Sequence, residues 1–475
     1  MTQPHQRRWR FWALAVIVVF GMVAAACGDD GTTAEDDGTT TSAPPDDSTP
    51  ADSTPDESPD DGEADDTTTT APVELTASWP GVTEEVIRLG FTTSDLIRLK
   101  ELGLVDIDRG DPQIVLDALI DEVNARGGIN GRMLEAYLEV LLPIDSTAAD
   151  ESCIRLTEDV GVFAVLAPFV GPNTDLNPCF NSRNETIIVG GQPNAEQLDV
   201  SAAPWISNNM FAARRLAGVI ELMEADGLLG DTVGVVNTVE EKDAADDIVI
   251  PALEALGKEI VGVVQDVEPG DALAGEAQWE RFIELWKTEG VDSVVMVENT
   301  ATFGSTQLAK SDLDANFLIV DSAALLRGLG AFEGAVKEDL AGIIGSAGPS
   351  EEESWELDAT QDCVRVFEEA YPDIEVVPTT EVPEGESDWF GNINIFCPVL
   401  QLFELAATAA GPDLTHDSFL SGAESLGEID IHGQVFASMG PGKYDAADAI
   451  RLTVFDASVG PNGGEAPYGP LEAVG

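Results

Sequence analysis

The chain of 475 residues carries 88 acidic side chains against 23 basic ones, a formal net charge of −65, with five cysteines and three histidines. Such an acidic surface repels a phosphate backbone, which excludes nucleic acid as a partner. The length exceeds what one hydrophobic core supports and is expected to divide into two lobes.

Arg7, Arg8 and Arg10 precede an apolar run over 11–26, which closes on Ala24-Ala25-Ala26. The run is shorter than the roughly 20 residues a membrane-spanning helix needs, and its flanks are those of an export signal over 1–26. The next residue is Cys27. Ala-Ala-Ala-Cys resembles a bacterial lipobox, which implies that Cys27 becomes the acylated first residue of a mature lipoprotein; an ordinary signal peptide ahead of a stray cysteine is the alternative. Gly28 to Pro72 holds 15 of the acids and no basic or aromatic residue. A segment so poor in apolar surface does not offset its ordering entropy, so 27–81 is expected to be an acidic, disordered tether.

From Val82 onward, strand and helix patterns alternate. Strands are expected over 86–91, 133–141, 161–167, 186–190, 232–236, 259–264, 293–297, 316–320 and 340–346. Helices are expected over 114–124, 150–157, 210–225, 246–255, 277–288, 305–310, 358–371 and 390–409. Val/Ile-rich strands separated by helices predict an α/β fold with mostly parallel sheets covered on both faces. Segments 433–438 and 450–455 read as an antiparallel hairpin around Gly440-Pro441-Gly442. Residues 459–475 read as a flexible tail. The four remaining cysteines favour disulfides in an exported chain, and their spacing suggests Cys153–Cys179 and Cys363–Cys397, although three pairings exist in principle. With no C-x-x-C and scattered histidines, no metal site is expected.

The segment Asn124-Ala125-Arg126-Gly127-Gly128-Ile129-Asn130-Gly131-Arg132 is the most specific. An amphipathic helix stops at a glycine pair, a second tight turn follows, and a strand begins. The glycines alone fit any helix-to-strand connection. The full string resembles the first helix–strand junction of type I periplasmic binding proteins, the branched-chain amino-acid receptor family. The resemblance covers about 370 residues and implies two doubly wound lobes with three crossings between them, near Ile206, Gly345 and His432. Lobe 1 would hold 82–206 and 347–431, and lobe 2 would hold 207–346 and 432–458.

Ligands of such sheets sit at the carboxyl ends of the strands. That places Thr92 after the first strand, with Thr93 and Ser94 beside it. Phe169, Gly171 and Asn173 follow the third strand, and Gln192 and Asn194 the fourth. In amino-acid-binding relatives the last two turns carry Ser or Thr hydroxyls and bare N–H groups that hold a carboxylate. Here Val170, Gly171 and Gln192 stand there, a departure that puts α-amino-acid recognition in question. In lobe 2, Glu241, Asn299 and Asp321 follow strands, and Asp321 stands where those relatives place a partner for the ligand's ammonium.

The resemblance implies a lipid-anchored, monomeric, extracytoplasmic substrate-binding protein. It would deliver a small polar ligand, a branched-chain amino acid or a related amide or carboxylate, to the permease of an ABC importer. A sensory receptor uncoupled from transport is the alternative. No catalytic motif such as G-x-S-x-G, H-E-x-x-H or a P-loop occurs, so neither enzyme activity nor a cofactor is expected. The acidity suggests a salt-rich habitat, where screening removes self-repulsion. The melting temperature of the purified protein should therefore rise as salt is raised from about 10 mM to about 1 M. A flat response would show that the acids do not repel one another appreciably.

Overall fold

A computed structural model describes residues 75–475 except 104, 106, 144, 268–270, 321, 323–324, 326–336, 460–462 and 475. The expected signal over 1–26, Cys27, the tether as far as residue 74, and Asp321 therefore lie outside the described residues.

Five strands form a wholly parallel first sheet: β1 (Val86–Ser94), β2 (Met133–Leu141), β3 (Ala164–Leu166), β4 (Ile187–Val189) and β5 (Trp205–Ile206). Their order is β2-β1-β3-β4-β5. A second parallel set repeats that order as β7-β6-β8-β9-β10. It comprises β6 (Thr232–Thr238), β7 (Glu259–Gln265), β8 (Ser293–Met296), β9 (Asn316–Ile319) and β10 (Ile344–Ala347).

Central strands are apolar on both faces because each face is covered. Ile187 and Val189 enter one core of the first sheet and Ile188 the other; Val295 and Val294 divide likewise in the second. That division is the two-residue period of a strand applied to a sheet buried on both sides.

Helix α1 (Pro112–Ala125) shows why the junction string folds as it does. Asp111 caps its first turn by accepting from Gln113 N–H, and Pro112 occupies the position where a missing N–H costs nothing. The helix ends at Gly127 and Gly128, both at positive φ, and a Cβ at Gly128 would lie 1.9 Å from the Arg132 carbonyl. Arg132, fully buried, then donates to the carbonyls of Thr83 (2.6 Å), Pro412 (2.8 Å) and Thr76 (2.8 Å). Three distant segments thus meet on one guanidinium.

After α2 (Ala212–Ala225) in the second lobe, the chain returns to the first for α3 (Asp358–Ala370), α4 (Trp389–Ala410) and α5 (His416–Glu424). Helix α4 is long and apolar enough to cross a membrane, yet Phe390, Ile393, Phe396, Leu400 and Phe403 pack in the first core. Disulfides join Cys153 to Cys179 and Cys363 of α3 to Cys397 of α4, the pairings expected from spacing.

Two expectations about the C-terminal region are corrected. Short strands β11 (Gly427–Glu428) and β12 (Ser438–Met439) pair with each other, while β13 (Ala449–Asp456) runs antiparallel to β10; only the bridges Ala437–Ala447 and Gly440–Lys443 remain of the expected hairpin. Residues 459–475 are not simply a tail: β14 (Gly464–Pro467) and β15 (Glu472–Ala473) both pair with β13. The edge of β13 offers unpaired backbone groups, and the returning chain satisfies them although its residues carry little apolar signal.

The third crossing, expected near His432, lies instead between Ala446 and Ala447: Ala437, Met439 and Ala446 still pack in the first core, and Ala447 enters the second. Beside this passage runs the first one, where Ser207 bridges Asp445. Arg214 of α2 holds the pair together. It reaches Asp445 at 3.0 Å, Asp448 at 2.8 Å and the Val474 carbonyl at 3.0 Å, and it also bonds the Ala447 carbonyl. Lys443 joins Asp448 at 3.0 Å, and burial lowers its ammonium below the usual lysine range. Removing one member of such a buried group leaves the others uncompensated. Arg214→Met is accordingly expected to cost about 3–5 kcal/mol in urea unfolding; a loss below about 1 kcal/mol would mean that water screens the cluster.

Candidate functional site

In the order β2-β1-β3-β4-β5, the connections from β1 and β3 leave toward opposite edges of the sheet, so a crevice opens between their carboxyl ends. A cavity of about 630 Å³ lies there, lined by Thr92, Thr93 and Ser94 from β1 and by Ala167, Pro168, Phe169 and Val170 after β3. The β4 turn adds Gly191, Gln192 and Asn194, and the first interlobe passage adds Asn208 and Asn209. Arg109 and, from α4, Asn394, Ile395 and Val399 complete the wall with Leu96, Thr174, Asp175 and Gln197.

Backbone constraints shape this wall. Ala167 takes φ +53°, a conformation costly for a residue with a Cβ, and its carbonyl accepts from the Thr92 hydroxyl at 2.8 Å. Asn177 clamps the following turn, accepting from Phe169 N–H (2.9 Å) and donating to Phe169 O (3.0 Å). Gly190 and Gly191 are at positive φ; Trp205 Nε1 donates to Gly190 O at 2.8 Å and Ser207 Oγ to Gly191 O at 2.6 Å. In α4, Pro398 lacks the N–H that would close on the Asn394 carbonyl.

Four of the nine sequence-nominated ligand residues therefore share the cavity wall: Thr92, Phe169, Gln192 and Asn194. Phe169 is nearly buried, with its ring 4.8 Å from Phe180, and presents an edge of the core. Asn194 also caps the short helix Ala195–Asp199 through a reciprocal pairing with Gln197. Gly171 opens the turn Gly171–Leu176, and Asn173 is buried behind it, away from the wall. Glu241 and Asn299 come together at the corresponding switch point of the second sheet. There Glu241 accepts from Asn299 N–H and from the Thr300 hydroxyl, each at 2.6 Å. Glu298, next to them, repeats the positive φ of Ala167 at +45°. The two lobes thus carry the same strained step after β3 and β8.

Sequence reasoning missed Arg109, Asn208, Asn209 and Asn394. The asparagine pair was within reach, since it directly follows the expected crossing. Pro398 inside a helical run marked a freed carbonyl near Asn394. Arg109 lies in a loop with no periodicity and gave no signal.

No family model and no curated protein sequence matches the chain. Solved structures do. A leucine-binding protein from Thermotoga maritima superposes with a TM-score of 0.52 at 12% identity, covering 82% of this chain and 99% of its own. A leucine-, isoleucine-, valine-, threonine- and alanine-binding protein from Brucella ovis, in closed conformation, gives 0.52 at 14%, covering 82% and 95%. The chain has the type I periplasmic binding protein fold. Its two lobes are the repeated five-strand orders, and the cavity occupies the switch point of the first.

His432 lies beneath this wall, with its Nε2 on the Asn394 side chain, and burial pushes its pKa down to about 4. The folded state therefore holds it neutral, whereas the unfolded chain protonates it near the ordinary value of 6.5. Its contribution to stability is complete above the unfolded value and is lost as pH falls toward the folded one. Between about pH 6.5 and about pH 5, each unit of acidification is expected to cost up to about 1.4 kcal/mol through this residue. His432→Asn should flatten the urea midpoint across that window; an unchanged slope would assign the loss to other groups.

Proposed function

We propose that the protein is an extracytoplasmic substrate-binding protein of an ABC importer, anchored to the membrane by acyl chains on Cys27. It captures a small polar ligand between its lobes and presents the closed form to a membrane permease, which discriminates loaded from empty receptor by shape. The observation that carries this reading is the cavity at the β1/β3 switch point, walled by hydroxyls and amides and bordered by an interlobe passage. A wall of that composition suits an amino acid, a branched-chain one in the first instance, or a related amide or carboxylate. A structural neighbour, from Desulfitobacterium hafniense, is described as an ABC transporter substrate-binding protein in complex with Leu.

Thr92, Gln192 and Asn194 are the proposed polar contacts from lobe 1, with the Gly171 turn beside them and Phe169 as the apolar wall; Asn173, buried behind that turn, is not among them. Glu241, Asn299 and Asp321 are the proposed contacts from lobe 2, Asp321 serving the ligand's ammonium.

A thermal-shift screen of amino acids, amides, polyamines and carboxylates in high salt tests the reading. A ligand present at about 100 times its Kd should stabilise the protein by about 2.7 kcal/mol. Aliphatic amino acids are the expected hits, and Asp321→Ala should remove the response to leucine while sparing isovalerate, which lacks the ammonium. A screen in which no solute moves the transition would refute the solute-binding assignment.

A further inference from the structure

The arginines of the folded part are mostly well occupied. Arg132 serves three carbonyls, Arg214 two carboxylates, and Arg451 pairs with Glu353. Arg109 is different. It is the one cation among the described residues lining the cavity, its side chain is 30% exposed, and its guanidinium makes no hydrogen bond among the described residues. Its Nε is buried without a hydrogen-bond partner; it forms an ion pair with Asp388, whose Oδ2 lies 3.7 Å away, beyond hydrogen-bonding distance.

The loop that presents Arg109 is nevertheless firmly held. The Arg109 carbonyl accepts from Asn392 Nδ2 at 2.8 Å, and Asp388 N–H donates to Asp108 O at 2.7 Å. The Ser387 hydroxyl donates to Asp108 at 3.1 Å. Asp388 is itself engaged, its Oδ1 accepting from Gly391 N–H and the Thr379 hydroxyl. Gly391 leaves the room the guanidinium needs, because a Cβ there would stand 2.4 Å from Arg109 Nε. The result is a fixed, planar set of donors at a cavity wall whose other polar groups are amides and hydroxyls together with the single carboxylate of Asp175.

A half-buried guanidinium with unused N–H groups suits a planar, bidentate acceptor. We propose that Arg109 anchors the carboxylate of the ligand, so that the solute is a small monocarboxylate, free or as part of an amino acid. The inference rests on the solute-binding reading above. It also accounts for the β3 and β4 turns, where Val170, Gly171 and Gln192 stand in place of hydroxyls: the carboxylate is held from the α4 side instead.

The test titrates the full-length protein and its Arg109→Gln and Arg109→Lys variants with four probes. Leucine and isovalerate carry a carboxylate; leucinamide and isoamylamine do not. Any other carboxylate found in the solute screen is added to the first pair. Carboxylate probes are expected to bind the wild type and to bind Arg109→Gln at least about 30-fold more weakly, the loss expected for charged hydrogen bonds. Arg109→Lys should fall between, since it keeps the charge but not the fork. Arg109→Lys keeps a cation beside buried Asp388, so its ligand-free melting temperature should stay close to wild type while its carboxylate affinity falls, a combination that a loop-bracing role would not give. If Arg109→Gln does not fold, Arg109→Lys decides alone, by weakened carboxylate binding. Equal carboxylate affinity in the variants, or a wild type that binds only solutes lacking a carboxylate, overturns the assignment of Arg109 and leaves solute binding intact. If no solute binds at all, the solute-binding reading falls and this inference falls with it.

Discussion

The structure turns on a neutral quartet buried where the chain passes between its lobes: Arg214 and Lys443 against Asp445 and Asp448. Two passages that are far apart in sequence must run side by side, or the lobes would share no axis. Asp445 fixes that geometry from one side, accepting from Phe211 N–H and from Arg214 while its backbone bridges Ser207. Charges removed from water tolerate little displacement, because each depends on its partners for the interactions that solvent no longer provides. The cavity inherits this precision, since Asn208 and Asn209 directly follow the bridged residue and line its wall.

A second constraint fixes the cavity's position. Both lobes use one strand order, so each has a switch point, and at each the chain takes a positive φ at a non-glycine residue, Ala167 or Glu298. Strain of that kind persists only where surrounding bonds over-determine it. In the first lobe the bonds come from Thr92 and Asn177; in the second, Glu241 ties together the residues that follow. The second-lobe carboxylate thus braces its own turn.

The parallel strands were legible because their signal is local: runs such as Ile187-Ile188-Val189 are apolar on both faces only in a sheet covered on both sides. The junction string was legible because Gly128 admits no side chain against the Arg132 carbonyl. The returning strands β14 and β15 were not legible. They exist to satisfy the edge of β13, and their own residues carry no strand periodicity. The site divides the same way. Thr92, Gln192 and Asn194 follow from strand ends, which a sequence displays. Arg109 reaches the wall through a loop moulded to the first turn of α4, with Gly110 accommodating Trp389 and Gly391 accommodating the arginine itself. Such complementarity between segments far apart in sequence leaves no spacing to read.

The surface charge and this arginine pose opposite problems for a carboxylate ligand. A net charge of −65 generates a field that disfavours the approach of anions. At about 0.1 M ionic strength that field decays over about 10 Å, and at about 1 M over about 3 Å. A bidentate contact inside a cavity acts at hydrogen-bonding range, where mobile ions do not intervene. Salt therefore removes the long-range penalty while leaving the short-range attraction largely intact. If Arg109 holds a carboxylate as proposed, the salt that relieves the protein's own repulsion would also be the condition in which that ligand binds best.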